Sequence, residues 1–486
     1  MIKEERLEIF FVNLQMKQKK TICDMKPIFN YIVLLLTLLF CLDATAQVNQ
    51  WRDIYEAKKK DTVFGIARKY GISVPDLMDA NPEMKVEGYE LKKGDTVFIP
   101  FEKGKKPNVV PVVPKTDKNQ PVTTQLVKGK ELDITKRAIR IGVMLPLHNV
   151  DGDGRRMVEY YRGLLLACDD LKRQGISTDV YAWNVPIDAD IRQTLLDVNA
   201  QRCDIIFGPL YTKQVAHLGD FCKRFGIKLV IPFSIESGEV ATNPQVYQVY
   251  QSADQLNLDA IHAFLNRFPN YHPVFIDCND RDSQKGIFTF TLRKQLEDKK
   301  IAYNITNLKS SEEQFAKSFT LSKPNVVVLN TGKSPELNVA LAKIDGLKAA
   351  NPTLSVSLFG YTEWLMYTKV YFEYFCKYPT YIPTVAYYNA LSPQTKQFEQ
   401  KYRLWFKEEM QYAIPRFALT GYDHAQFFCR GLHQYGKSFS GLKKQNSYTA
   451  LQTPLDFRRI RKAGWQNSTF MLIHFKSNGG IESISY

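Results

Sequence analysis

The sequence predicts an α/β protein with a small strand–helix–helix–strand module and a large body of two lobes, each built on a parallel sheet. Residues 51–101 contain two capped helical segments between two short strand runs. A Pro- and Lys-rich stretch separates this module from the rest. From Ala138 onward, apolar strand runs alternate with amphipathic helices, and the alternation restarts in mid-chain. Such alternation is typical of parallel sheets with helices on both faces.

The composition is that of a globular protein. The chain has 486 residues, enough for two or three domains. Its 44% hydrophobic and 24% charged residues exclude wholesale disorder. The formal net charge of +15 is spread along the chain, so we expect mainly a solvated surface. In an exported protein this charge would meet anionic wall polymers and lipid head groups, and nucleic acid is not an expected partner.

Residues 1–46 are expected to form an N-terminal extension and a signal peptide. Lys26 precedes a short apolar run from Tyr31 to Leu42, and the small residues Ala44, Thr45 and Ala46 follow it. This order predicts cleavage before Gln47. The apolar run is shorter than the roughly 20 residues that a membrane-spanning helix needs. We therefore expect an exported protein of the periplasm or cell envelope, without a stable membrane span.

The first folded unit is predicted over residues 47–101. Asp61 and Thr62 cap a helix that Gly71 ends, and Ser73 caps a second helix that Asn81 and Pro82 end. The first helix is expected to bury its apolar positions, Phe64, Ile66, Ala67 and Tyr70. The run "DTVFIP" supplies a closing strand. A unit this small buries its apolar positions only as an antiparallel strand pair covered by both helices.

This unit resembles the lysin motif (LysM) family in "DTVFGIARKYGIS", "DLMDANP" and "LKKGDTVFIP". The family binds N-acetylglucosamine-containing glycans such as peptidoglycan and chitin, in a groove between the first strand–helix loop and the second helix–strand loop. The resemblance implies a groove formed by Lys60, Asp61, Thr62 and Val63 on one side and Asn81, Pro82 and Glu83 on the other. The family usually has Gly at the position of Lys60. A purely structural role for the cap residues is the alternative, and both roles can coexist.

Residues 102–138 are predicted to be a linker. They contain four prolines and many Lys, Thr and Gln, with no helical period. At about 3 Å per residue in polyproline-like form, this stretch could span on the order of 100 Å. Such a tether would let the small module hold the wall while the large one works elsewhere.

The body, residues 139–486, contains two strand ends that suggest a ligand-binding edge. Gly208 and Pro209 close one strand, and Pro232, Phe233 and Ser234 close the next. In open α/β sheets ligands bind outside the carboxyl ends of the strands. The unpaired N–H groups of a following helix or turn favour a carboxylate or another acceptor-rich group there.

The body resembles the type I periplasmic binding fold, in particular the branched-chain amino-acid receptor group. The motifs that carry the resemblance are "IRIGVMLPL", "DIIFGPLYTKQV", "IKLVIPFS", "VYQVYQSADQ", "SLFGYTEW" and "RFALTGYDHAQFF". The resemblance implies lobe 1 at about 139–250 and 415–440, and lobe 2 at about 251–390.

The same resemblance implies a set of cleft residues. They are Gly208, Pro209, Tyr211, Thr212, Ser234, Glu236, Tyr250 and Asp282, with Leu147 to Asp151, Leu210 and Gln284 beside them. Glu236 and Asp282 would pair with an amine, because a buried ammonium must be paired. Leu210 and Tyr211 are bulky where amino-acid receptors have small residues, and they could fill the pocket.

Catalysis is not expected, and neither is a cofactor or a metal. The "DGDG" at 151–154 lacks the later ligands of a calcium loop and is expected to be a surface turn. His424 beside Asp423 has no nucleophile elbow. The six cysteines after Gln47 lie far apart without a CxxC or Cys/His cluster. Buried thiols and one or two disulfides remain equally open for them.

These observations favour a non-catalytic protein that binds peptidoglycan. Some outer-membrane lipoproteins with a similar fold activate cell-wall synthases, so the body could be a scaffold that binds such a synthase and regulates wall synthesis. The alternative is a substrate-binding receptor for an amino acid or muropeptide, in transport or sensing. The bulky Leu210 and Tyr211 and the wall-binding module favour the scaffold, because a transport receptor should diffuse freely.

Overall fold

The computed structural model describes residues 51–86, 89–101, 133–233 and 237–486. The predicted signal peptide and most of the predicted linker lie outside these residues. In the part of the chain that is described, no helix is both long and apolar enough to cross a membrane.

The small module has the predicted order of elements. Its first helix begins after Thr62, whose hydroxyl accepts a hydrogen bond from the Gly65 N–H at 3.0 Å, and ends at Gly71 with φ 68°. Phe64 was expected to be buried, but 66% of it is exposed, because the core side of this helix carries Ile66 and Ala67. The elements are β1 (Asp53–Glu56), α1 (Val63–Tyr70), α2 (Val74–Ala80), a 3-10 turn (Pro82–Lys85) and β2 (Thr96–Ile99).

The antiparallel pair β1–β2 is covered on both faces. Side chains alternate along a strand, so neighbours point to opposite faces. Tyr55 and Val97 pack against α1 and α2, whereas Ile54 and Phe98 pack into a core shared with lobe 1. The module is therefore docked on the body, which differs from the predicted free tether.

Lobe 1 is a seven-stranded sheet with strand order β13-β14-β7-β6-β5-β3-β4, in which every pairing except β13–β14 is parallel. Its strands are β3 (Ile139–Leu145), β4 (Thr178–Asn184), β5 (Ile205–Phe207), β6 (Lys228–Ile231), β7 (Val246–Gln248), β13 (Phe457–Arg459) and β14 (Trp465–Asn467). Its helices are α3 (Gly152–Arg173), α4 (Ile191–Thr194), α5 (Val198–Arg202), α6 (Val215–Phe225), α12 (Pro393–Phe406) and α13 (Phe417–Tyr435).

Lobe 2 is a second seven-stranded sheet with strand order β16-β15-β12-β11-β10-β8-β9, parallel except at the β12–β15 and β15–β16 pairings. Its strands are β8 (His272–Asp277), β9 (Asn304–Asn307), β10 (Asn325–Leu329), β11 (Val356–Phe359), β12 (Thr380–Thr384), β15 (Met471–Phe475) and β16 (Ile481–Ser485). Its helices are α7 (Ala253–Arg267), α8 (Lys285–Asp298), α9 (Glu312–Ala316), α10 (Ser334–Ala350) and α11 (Thr368–Lys377).

Three crossovers join the carboxyl edges of the two sheets. β7 leads into α7, β12 leads towards α12, and β14 leads into β15. Because β14 is parallel to β7, the β14–β15 crossover leaves lobe 1 at its carboxyl edge. Because β15 is antiparallel to β12, the same crossover enters lobe 2 at the carboxyl edge of that sheet. The two edges therefore face each other across a cleft, as the predicted two-lobed fold requires.

The lobes have separate cores, and lobe 1 is closed by a tight helix pair. A Cβ at Gly163 on α3 would overlap the backbone oxygen of Ala418, and one at Gly421 on α13 would overlap that of Tyr160. The returning helix α13 is thus packed backbone to backbone on α3. All six cysteines of the described residues are free and buried, which resolves the open question of their bonding in favour of thiols.

Candidate functional site

The first loop of the predicted glycan groove is held in shape by Asp61. Its carboxylate accepts hydrogen bonds from the Lys58 backbone N–H at 2.7 Å and from the Tyr55 hydroxyl at 2.8 Å. The Lys58 backbone bond, followed by the Tyr55 bond, lowers the pKa of Asp61. Lys60 lies in the left-handed region with φ 76°, which explains why a Gly would suit this position. The loop presents an ordered, exposed backbone.

Next to this loop, Thr62 and Val63 start α1, and Phe64 follows them on the solvent side. Thr62 is exposed although its hydroxyl caps the helix, and Val63 is half-buried. Sequence analysis missed Phe64 as a surface residue. The signal was available, since Phe64 lies two positions before Ile66 and therefore about 200° away on a helix.

The second loop of the groove contains a residue that is fully used by the module itself. Asn81 is 0% exposed, and its amide donates to the backbone oxygens of Leu77 at 2.7 Å and Phe98 at 2.8 Å. Its oxygen accepts from the Phe98 N–H at 2.8 Å. Neither amide hydrogen is left for a sugar. The Asn81 side chain therefore has the purely structural role that the sequence left open as the alternative. Pro82 and Glu83 are exposed on the following 3-10 turn, and their contact with glycan stays a prediction.

The docked face of the module meets lobe 1 through an aromatic and cationic cluster. The Phe98 ring lies 5.5 Å from that of Trp51 and 6.4 Å from that of Phe221 on α6. The Arg224 guanidinium lies over the Phe98 ring, 4.3 Å from its centroid, and burial lowers the pKa of Arg224.

Besides this apolar contact, polar contacts of His217 on lobe 1 fix the orientation of the module. The Nδ1 atom of His217 lies 2.8 Å from the Thr96 hydroxyl, and its Nε2 atom lies 3.3 Å from the Glu56 carboxylate. The module is thereby fixed in one orientation on lobe 1.

On the lobe 1 side of the cleft, Gly208 and Pro209 shape the backbone rather than offer side chains. Gly208 has φ 137°, and a Cβ there would overlap the backbone oxygen of Met144. Pro209 is buried after a cis peptide. The Tyr211 hydroxyl donates to Asp153 at 3.3 Å, and burial together with Asp153 raises the pKa of Tyr211 to about 12.

Aromatic rings occupy the wall of this cleft edge. Phe233 packs within 5.6 Å of Tyr160, 6.0 Å of Tyr250 and 5.6 Å of Phe417, measured between ring centroids. Leu210 packs against the same core. The sequence predicted Tyr250 as a cleft residue. It did not predict Tyr160 on α3 or Phe417 on α13 as residues of the cleft wall. Thr212 is exposed at a short turn, and the predicted Ser234 and Glu236 lie outside the described residues.

On the lobe 2 side of the cleft, the carboxylate of Asp280 already forms an ion pair with Lys333. The Asp280 side chain is only 4% exposed and accepts from Thr331 at 2.7 Å and from Lys333 at 2.8 Å. These bonds, led by that of Lys333, lower the pKa of Asp280. The predicted amine partner Asp282 is exposed, and a solvated carboxylate binds an ammonium weakly. Close by, Lys285 pairs with Glu363 at 2.6 Å.

The cleft walls also touch each other. The Tyr412 hydroxyl, on the loop before α13, donates to the backbone oxygen of Met366 at 3.3 Å. Lys369 lies 5.6 Å from the centroid of the same ring. A pocket of about 210 Å³ lies on the lobe 2 wall, lined by α7, α8 and the segment after β12. The described walls of the cleft thus carry aromatic rings and ion-paired side chains.

The structure is that of a small strand–helix–helix–strand domain packed on a body of two α/β lobes, each built on a seven-stranded sheet. Residues 55–100 match the LysM domain family, so the predicted LysM module is confirmed. The predicted body of two lobes, each with a largely parallel sheet, is confirmed by the sheet topology.

Solved structures with a similar fold include transporter proteins. The chain is similar to an ABC transporter substrate-binding protein from Sphaerobacter thermophilus, with 14% identity, 72% of this chain and 97% of that chain covered, and a TM-score of 0.42. It is similar to a putative branched-chain amino acid ABC transporter from Rhodospirillum rubrum, with 12% identity, 72% and 100% covered, and a TM-score of 0.48. It is also similar to Haemophilus influenzae LpoA, with 14% identity, 72% and 59% covered, and a TM-score of 0.46. No curated protein matches the chain.

Proposed function

We propose that this protein binds peptidoglycan through its LysM domain and presents its two-lobed body at the wall as a non-catalytic scaffold. A cell-wall synthase or another envelope protein would dock on this body, and the protein would regulate wall synthesis. The observation that carries the proposal is that β1–β2 is buried on both faces, with Phe98 pointing into the lobe 1 core. Glycan bound by the module would therefore orient the whole body.

The first loop supports glycan binding by the module. Lys60 and Thr62 expose backbone and hydroxyl groups that a sugar can hydrogen-bond, and Asp61 holds them in place. The exposed ring of Phe64 lies at the start of the adjoining helix and offers an apolar face to a pyranose ring. An ordered loop loses little entropy on binding, which favours affinity.

The cleft supports a scaffold over an amino-acid receptor. An ammonium ligand needs a buried carboxylate without another cation, because an unpaired buried charge is costly. Asp280 is already paired with Lys333, and Asp282 is exposed. Phe233 and its aromatic neighbours occupy the opposite wall. Localisation in the periplasm or cell envelope follows from the peptidoglycan partner.

Co-sedimentation of the full chain with purified sacculi tests glycan binding. Asp61→Ala removes the acceptor that holds the first loop, and we expect it to weaken binding at least tenfold. Asp298→Ala, at an exposed carboxylate of lobe 2, is the matched control and should bind like the wild type. Circular dichroism would verify that both variants are folded. Equal retention of Asp61→Ala and the control would reject the groove.

Titration calorimetry of the full chain with amino acids and muropeptides tests the receptor alternative. The scaffold predicts no heat of binding across the panel. Micromolar binding of one of these ligands that Ser234→Ala abolishes would replace the scaffold by a receptor.

A further inference from the structure

A second pocket lies at the opposite edge of the lobe 1 sheet from the cleft. Its volume is about 620 Å³, and its floor is formed where β3, β5, β6 and β7 begin. Among the residues that the structure describes, six basic side chains and one carboxylate line it. The basic residues are Arg137, Arg140, Arg202, Lys228, Lys437 and Arg459, and the carboxylate is that of Asp204. These described residues give the lining an excess of five positive charges.

Lys228 is the most unusual of these residues. It is the first residue of β6 and is 9% exposed. Its ammonium donates to the Tyr247 hydroxyl at 3.2 Å and to the backbone oxygen of Lys437 at 3.4 Å. No carboxylate of the described ranges forms an ion pair with it. Lysine is almost never buried unless it is paired, because the buried charge is costly. Burial lowers the pKa of Lys228 to about 8.

Asp204 does not neutralise Lys228, because both of its carboxylate oxygens already accept hydrogen bonds from other groups. Its two oxygens accept from the Arg137 guanidinium at 2.7 Å each, and one accepts from the Arg140 backbone N–H at 2.8 Å. This bidentate pair neutralises Arg137. Lys228 is left without a carboxylate partner in the part of the chain that the structure describes.

The geometry around Lys228 is rigid. Tyr247 packs against Phe428 and Phe457 and stacks on Trp465, with ring centroids 5.4, 5.3 and 5.8 Å away. The Tyr247 hydroxyl that accepts from Lys228 is thus held in place by the rings packed around Tyr247. The Lys228 ammonium is therefore also held in place. Such a donor is preorganised for a ligand, because its side chain loses little freedom on binding.

We propose that this pocket binds a phosphate-bearing anion, with Lys228 as the buried cation that the ligand neutralises. A phosphate group is favoured over a single carboxylate because it carries up to two negative charges and accepts several hydrogen bonds from surrounding cations. The ligand is a soluble phosphate compound or the phosphate of a lipid head group, which share this chemistry. None of the described residues that line the pocket belongs to the LysM domain, so the test of this site does not depend on glycan binding.

Thermal-shift titration of the full chain with inorganic phosphate and pyrophosphate, at ionic strength matched with chloride, tests this site. Vesicle co-sedimentation with phosphatidylglycerol, against phosphatidylcholine alone, distinguishes the two sources. We expect saturable stabilisation of the wild type by pyrophosphate and at least tenfold weaker binding by Lys228→Met. Lys294→Met, an exposed lysine of α8, is the control and should bind within twofold of the wild type. Binding to both pyrophosphate and anionic vesicles indicates a lipid phosphate, and binding to pyrophosphate alone indicates a soluble one.

Lys228→Met also has a signature that a purely structural lysine would not give. Methionine keeps the length and removes the unpaired charge, so we expect the unliganded variant to melt at or above the wild-type temperature. If that variant fails to fold, the surface pair Arg202→Met/Lys437→Met replaces it, with the same expected tenfold loss. The proposal is overturned if no phosphate probe gives a saturable response with the wild type. It is equally overturned if the pocket variants and Lys294→Met bind alike.

Discussion

Replacing Phe98 by Ala is the perturbation that most directly probes how the LysM domain is attached. The Phe98 side chain is 2% exposed and points away from the domain's own helices, towards Phe221 and Arg224 of lobe 1. Truncating a buried Phe to Ala costs about 3–5 kcal/mol. In an undocked domain the same ring would face water, so most of this loss falls on the docking equilibrium. At about 1.4 kcal/mol per factor of ten, even ~3 kcal/mol raises the undocked population on the order of 100-fold.

His217 offers a residue-specific assay for undocking. Its ring is covered by Thr96 and Glu56 of the docked domain. The rate at which diethyl pyrocarbonate modifies His217, measured by mass spectrometry, should rise steeply in Phe98→Ala. Phe64→Ala is the matched control, because Phe64 is the same residue type in the same domain but lies on the solvent side. Its rate should stay within twofold of the wild type. Equal His217 rates in all three proteins would refute the docked arrangement.

Three further predictions concern stability, each measured by urea unfolding of the full chain. Asn81→Ala should lower the free energy of unfolding by about 3 kcal/mol, because it leaves buried backbone groups of Leu77 and Phe98 unpaired; an unchanged value would contradict the structural role. Gly163→Ala should cost about 1–3 kcal/mol or more, since its Cβ has no space beside Ala418; a neutral effect would contradict the close helix contact. His424→Gln should flatten the acid side of the stability profile. Burial lowers the pKa of His424 from 6.5 to about 3, so its contribution is complete above pH 6.5 and is lost as the pH falls towards 3. Between pH 7 and 5 the wild type should lose about 2 kcal/mol more than the variant; parallel profiles would contradict the buried neutral ring.

The sequence predicted correctly those features that depend only on residues close to one another in the chain. The caps at Thr62 and Ser73 and the stop at Gly71 depend only on neighbouring residues, and the structure has all three. The alternation of strands and helices likewise predicted both sheets and the edge at Gly208. The "DGDG" motif was expected to be a turn, and it is the capped first turn of α3, with Asp151 as the cap.

Non-local contacts account for what the sequence did not predict. The run Thr96–Ile99 is buried at every position, which would fit a strand covered on both faces, but its partner Phe221 lies far along the chain. The role of Asn81 depends on Phe98 in the same way. The strands β15 and β16 belong to lobe 2 only because the chain crosses back after β14. Lys228 begins an apolar strand, where a lysine normally reaches water, so its burial could not be foreseen.

The hydrogen-exchange footprint of a soluble N-acetylglucosamine oligomer on the full chain tests the central claim most directly. We predict that the oligomer slows exchange in residues 58–65 and 82–86, while the cleft segments 208–215 and 278–284 keep their rates. Protection of the cleft segments with unchanged exchange at 58–65 would contradict the account, because the body rather than the LysM domain would then be the glycan-binding part.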